Sequence, residues 1–215
     1  MKPPRIHPML STIVKVALTT VDGTIFSVRD KCPVCGGPLS GYDKKKKQYA
    51  LMREDEQERK LYVFVKRFYC HTCHHVCYAD EPFYPGTRVG SAVIDLVVLL
   101  SRTMPPNRVA AYLAALGVCV DRTTCRLYAR KNLPEIQMMD LFGIRIPVSI
   151  FSLSTLAAQT GEGGTVPGAE ILRACGFPSA YRAAPDSAAG AKERDQGYKQ
   201  EDKEERELQK PEDEG

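Results

Sequence analysis

Six side chains able to bind a metal crowd into the eight residues "CHTCHHVC": Cys70, His71, Cys73, His74, His75 and Cys77. A tetrahedral zinc site uses four ligands and favours thiolates presented by Cys-x-x-Cys turns. A second such turn, "CPVCGG", lies upstream, with 34 residues separating Cys35 from Cys70. Together the two turns offer Cys32, Cys35, Cys70 and Cys73 as a four-thiolate set, and a structural zinc is the cofactor this set implies. A rubredoxin-like iron centre would use the same four ligands. A full set of thiolates leaves no coordination position for a substrate, so the chemistry expected here is structural. His71 then lies between ligands and points away, and His74 and His75 are surface groups or second-sphere donors.

The composition suits a reduced, intracellular setting. Eight cysteines without a visible secretory signal favour metal ligands and buried thiols over disulfides, and a cytoplasmic protein is expected. The apolar run "AVIDLVVLL" contains Asp95 and is too short to span a bilayer, so no membrane role is expected. The formal net charge of +4 hides a division. From Asp186 onward there are eleven acidic and six basic residues, whereas the preceding 185 residues carry a net charge of +9. A basic body with an acidic tail suits a polyanionic partner.

The segments that flank the cysteines point to an α+β fold. "IVKVALTTVDGTIFSVRD" reads as two β-like runs around the turn dipeptide Asp22-Gly23, an N-terminal hairpin. "GYDKKKKQYALM" and "RKLYVFVKRFYC" read as the arms of a second hairpin, with the charged tip "REDEQERK" as a solvated loop. Leu61, Val63 and Val65 alternate with Tyr62, Phe64 and Lys66, the pattern of a strand covered on at least one face.

Beyond "DEPFYPG" the period becomes helical. Val89, Val93, Leu96, Val97 and Leu100 form one stripe, widened by Ile94, Val98 and Leu99, so this helix should be largely buried. Three short helices are too few to cover it, which implies packing on residues 134–160 or a homodimer. "PPNRVAAYLAALG" opens with proline and stops at Gly117, and a third helix follows over Asp121 to Asn132 with Asp121 as N-cap. Four segments result: residues 1–84 with hairpin and Cys turns, the helical residues 86–132, a small packed region of unassigned role over 133–183, and a disordered charged tail over 184–215.

"CPVCGG" followed by "KRFYCHTCHHVCYA" resembles the zinc ribbon at the N-terminus of many insertion-element transposases. Arg67 and Tyr69 fit that pattern, His74 stands where glycine is usual, and Cys77 takes the packing position of an aromatic residue. The resemblance therefore implies that Cys77 is a core residue. "VAAYLAALGVCVDRTTCRLYARK" resembles the helix-turn-helix that commonly follows such ribbons, with Gly117 in the turn and Val118 and Val120 packed. The likeness covers about residues 30 to 132. Transposases of this kind carry a long domain with three spaced carboxylates next, and the residues left here are too few for it. Asp140 and Glu170 are scattered, and catalysis is not expected.

What the resemblance implies is a non-enzymatic, zinc-dependent protein that binds double-stranded DNA, a transposase-derived fragment or a regulator. Arg122, Arg126 and Arg130 share one face of the third helix, Thr123 adds a hydroxyl at its start, and Lys131 and Arg108 suit phosphate contacts. The competing expectation is a zinc-ribbon adaptor that docks to other proteins. No small-molecule substrate is implied, and Cys119, Cys125 and Cys175 stand alone as small hydrophobes.

Overall fold

A computed structural model of the chain describes residues 6–54, 57–141, 143–161 and 164–180. It is mixed α+β, with a four-stranded sheet, a separate two-stranded hairpin and six α-helices. All of the described residues fall within one compact unit, Met1–Tyr181. The charged tail expected over 184–215 lies outside the described residues.

The chain begins with a helix where a hairpin was expected. α1 spans Pro8–Thr19 and starts as helices often do, with Pro8 in its first turn and the His7 side chain accepting from the Met9 amide at 3.3 Å. Its buried residues are Leu10, Val14, Ala17 and Leu18, a helical stripe that packs on α5. The β-branched run raised strand propensity, but burial of that stripe decides the outcome. Asp22 and Gly23 still make a turn. Gly23 has φ of 77°, its amide donates to the Tyr62 carbonyl at 2.7 Å, and Asp22 Oδ1 accepts from the Tyr62 amide at 2.8 Å. The chain then enters β1, Ile25–Phe26, which pairs parallel to β3.

β2, Leu39–Glu54, and β3, Gln57–Cys70, form a long antiparallel hairpin. Its strands continue into the charged tip expected to be loop: Arg53 pairs with Glu58 across the ladder, and opposite charges there favour pairing over solvation. Leu61, Val63 and Val65 are fully buried. After Val65 the buried phase shifts, so that Phe68 and Cys70 are buried next. β4, Val76–Tyr78, returns antiparallel to β3 just after the second Cys turn.

α2, Ser91–Ser101, is buried over every position from Ser91 to Val97. It is covered by α3, Pro106–Ala115, by α4, Arg122–Ala129, and by the later elements β6, Ile144–Pro147, and α5, Val148–Thr160. Asp95 in its middle accepts from the Tyr84 hydroxyl at 2.7 Å and the Ser149 hydroxyl at 2.5 Å, which satisfies the carboxyl inside the core. β5, Met138–Leu141, pairs with β6, and α6, Gly168–Ala174, closes on β1. One continuous core runs from Leu10 in α1 to Cys175 after α6, so residues 84, 132 and 133 mark changes of secondary structure and not of core.

Candidate metal centre and helical surface

The two Cys turns are built alike. In the first, the Gly36 amide donates to the Cys32 carbonyl at 2.9 Å and the Cys32 amide to the Gly37 carbonyl at 3.1 Å. In the second, the His74 amide donates to the Cys70 carbonyl at 3.0 Å and the Cys70 amide to the His75 carbonyl at 3.0 Å. The fourth residue after each leading cysteine is left-handed, Gly36 at φ 74° and His74 at φ 59°. Glycine adopts this conformation without strain, whereas a side chain costs about 1–2 kcal/mol. The Tyr69 hydroxyl lies 2.5 Å from His74 Nδ1 and helps hold the histidine there. His74 thus has a conformational role that its residue type did not announce; its place relative to Cys70 was the available signal.

β3 ends at Cys70, and the hairpin return brings the first turn against it. A Cβ on Gly37 would lie 2.8 Å from Thr72 Cβ, so only glycine permits this approach. The result is one cluster: the sulfurs of Cys32, Cys35, Cys70 and Cys73 all lie within 4.8 Å of one another. Cys32 and Cys73 sulfurs are 3.6 Å apart, and those of Cys35 and Cys70 are 3.4 Å apart. Zinc–sulfur bonds of about 2.3 Å in tetrahedral array put sulfurs about 3.8 Å apart, so the set has the size of a metal site. Cys32 and Cys70 are buried, Cys73 is partly exposed and Cys35 is exposed.

Without a cation, Cys70 and Cys73 do not ionise alike. The Cys73 amide, which donates to the Cys70 sulfur, is the main reason the Cys70 thiol falls to about 6. Cys73 receives a lowering hydrogen bond from the His75 amide, but burial and the neighbouring Cys35, Cys32 and Cys70 push it up to about 12. A divalent cation would remove this conflict by stabilising every thiolate together. Cys77 is outside the cluster, 4% exposed and part of the core, where burial pushes its thiol up.

The other candidate residues gather around α4. Asp121 caps its start, accepting from the Thr124 amide at 2.9 Å and the Thr124 hydroxyl at 2.5 Å, and these bonds, the hydroxyl's first, hold its carboxyl below the ordinary range. Cys125 and Tyr128 face the core while Arg122, Thr123, Arg126 and Arg130 are exposed. The helix ends at Ala129, short of Asn132, with Arg130 as C-cap. Arg108 is exposed on α3. Lys131 differs from expectation in being held: its ammonium donates to the Gly86 carbonyl at 2.8 Å.

The turn between α3 and α4 is anchored to the hairpin. Gly117, at φ 83°, accepts from the Arg53 amide at 2.8 Å, and the Cys119 amide donates to the Leu51 carbonyl at 2.8 Å. β2 thereby fixes how α3 and α4 meet. No helix among the described residues is long and apolar enough to cross a membrane. Comparison of the chain with family models, curated proteins and solved structures gave no match.

Proposed function

We propose that this is a non-enzymatic DNA-binding protein whose four-cysteine cluster holds a structural zinc and whose α3–turn–α4 segment is a helix-turn-helix. The observation that carries the reading is the division of α4, with Cys125 and Tyr128 buried and Arg122, Arg126 and Arg130 exposed on the opposite side. Zinc bound by four thiolates supplies cross-linking of the two turns and no reactive position. The chain's own residues do the rest. The zinc ribbon seats the hairpin, the hairpin fixes the turn at Gly117, and α4 enters the major groove with Arg122 and Thr123 leading. Arg126 pairs with a guanine edge, while Arg130 and Arg108 meet phosphates. A cytoplasmic transposase-derived fragment or regulator fits this reading.

Titration against a selected duplex and a random one, at two salt concentrations, tests it. Arg126→Ala should cost about 1–3 kcal/mol on the selected site and little on random duplex. Arg130→Ala should weaken both and lower the salt slope by about one unit. Absence of duplex binding at low salt would overturn the reading.

Two observations favour an adaptor as the second reading. Leu127 is 61% exposed amid the arginines of α4, and the Asp121 carboxylate stands at the helix start where phosphate would approach. An apolar side chain flanked by arginines also suits a protein interface. Loss of partner capture by Leu127→Ala, with duplex binding absent, would select that reading.

A further inference from the structure

We propose that the outer face of the β2–β3 sheet is a platform for single-stranded nucleic acid, by an argument independent of α4. The strand register decides which side chains share this face. Ile25 pairs with Phe64 in the parallel ladder, and Lys46 with Phe64 and Lys44 with Lys66 in the antiparallel one. Paired residues point to the same side of a sheet, and Tyr62 joins them two residues from Phe64. Burial agrees with the register. Leu61, Val63 and Val65 are fully buried on the other side, whereas none of Ile25, Lys44, Lys46, Tyr62, Phe64 and Lys66 is buried. Ile25 is 50% exposed.

The run Lys44 to Lys47 is split by the same alternation. Lys47 turns inward, 2.8 Å from Glu81. Lys44, Lys46 and Lys66 remain on the outer side, and none forms an ion pair with a described carboxylate. The Lys46 ammonium rests 3.9 Å from the centre of the Tyr62 ring. The Lys66 ammonium lies 5.1 Å from the centre of the Phe68 ring. The face therefore sets two aromatic rings and an aliphatic side chain beside lysines that no described carboxylate neutralises.

That combination selects its ligand. Tyr62 and Phe64 stand about 6.6 Å apart at the strand rise of about 3.3 Å per residue, so each has room for its own base. Aromatic rings on a sheet hold unstacked bases through their faces while lysines follow the phosphates. In a duplex the bases are stacked on one another, so their faces are not open to the two rings, whereas a single strand offers them. An acidic peptide would use the lysines and leave the rings idle. On binding, a base displaces the Lys46 ammonium from the Tyr62 ring, and the ammonium moves to the adjoining phosphate. Single-stranded DNA and RNA share this chemistry.

The test uses the full chain loaded with zinc and two labelled oligonucleotides, (dT)20 and U20, followed by fluorescence anisotropy at several salt concentrations. The double variant Tyr62→Leu/Phe64→Leu keeps apolar area but removes both rings, and should weaken binding at least about ten-fold. Lys44→Gln/Lys46→Gln should lower the salt slope by about 1.4. The same leucine variant should leave binding of the selected duplex unchanged, which separates this result from the fate of the α4 reading. Ultraviolet cross-linking of (dT)20 should map to Tyr62 or Phe64, and retained zinc and melting temperature show that each variant folds. The oligonucleotide that binds tighter identifies the class of strand. The proposal is overturned if the folded protein binds neither, if the leucine variant binds as wild type, or if polyglutamate competes as well as the oligonucleotides.

Discussion

At the scale of single residues, the cysteines carry the strongest consequence. Cys32→Ser or Cys73→Ser should abolish stoichiometric binding of the proposed zinc, measured by native mass spectrometry, whereas Cys77→Ser should keep it, because Cys77 lies in the core outside the cluster. Loss of zinc by the Cys77 variant would show that the four-thiolate assignment is wrong. His74 gives a second case. Since it is left-handed at φ 59°, His74→Ala should be about 1 kcal/mol less stable than His74→Gly in thermal melts. Asp95 gives a third. Burial first of all raises its carboxyl from 3.8 to about 6, against the lowering hydrogen bonds from Ser149 and Tyr84. The folded state therefore holds the proton more tightly than the unfolded chain. Its contribution to stability is complete below about pH 4 and is lost as pH rises through 6, a change of order 3 kcal/mol. Denaturant melts of wild type against Asp95→Asn should show that slope in the wild type and its flattening in the variant.

At the scale of elements, α1 and the β2–β3 hairpin show how neighbours choose among local preferences. Residues 13 to 18 have the β-branched content of a strand, yet Leu10, Val14, Ala17 and Leu18 fall on one helical stripe against α5. A strand would place residue 17 opposite residues 14 and 18, whereas the helix buries all three together. Ala17→Leu should therefore overpack the core and cost about 1–3 kcal/mol, while the same substitution on an outward strand position would be nearly neutral. Urea denaturation checks this. In the hairpin, the close contact of Gly90 with Tyr49 is equally exacting. A Cβ there would run into the Tyr49 ring, so Gly90→Ala should destabilise the protein and shift α2 from β2.

For the molecule as a whole, the continuous core is the main fact. Asp95 of α2 reaches Ser149 of α5, the Gly117 turn is held by β2, and α6 closes on β1. A fragment of residues 86–132 would expose the faces of α2 that β6 and α5 cover, and it should fail to fold as judged by circular dichroism. Chelation of the proposed zinc should lower the melting temperature of the hairpin and the helices together, because the Cys turns lie at one end of the β2–β3 hairpin and β2 also anchors the α3–α4 turn. Separate transitions seen by far-ultraviolet dichroism and tyrosine fluorescence would argue against that coupling.

The features legible in the residues alone are those whose information is local. The paired Cys-x-x-Cys spacing named four cysteines that do converge, the alternation of Leu61, Val63 and Val65 named a buried strand face, and Asp121 named a helix start. Each is legible because a turn, a pleat or a cap is set by residues a few positions apart. Long-range packing settled the rest. It turned the N-terminal run into a helix, since burial against α5 outweighs propensity, and it carried the hairpin into its charged tip. It also tied Lys131 to Gly86 and drew β5, β6 and α5 into the common core. Those outcomes depend on contacts between residues distant in the chain, and the free energy of such contacts is absent from any short window of sequence.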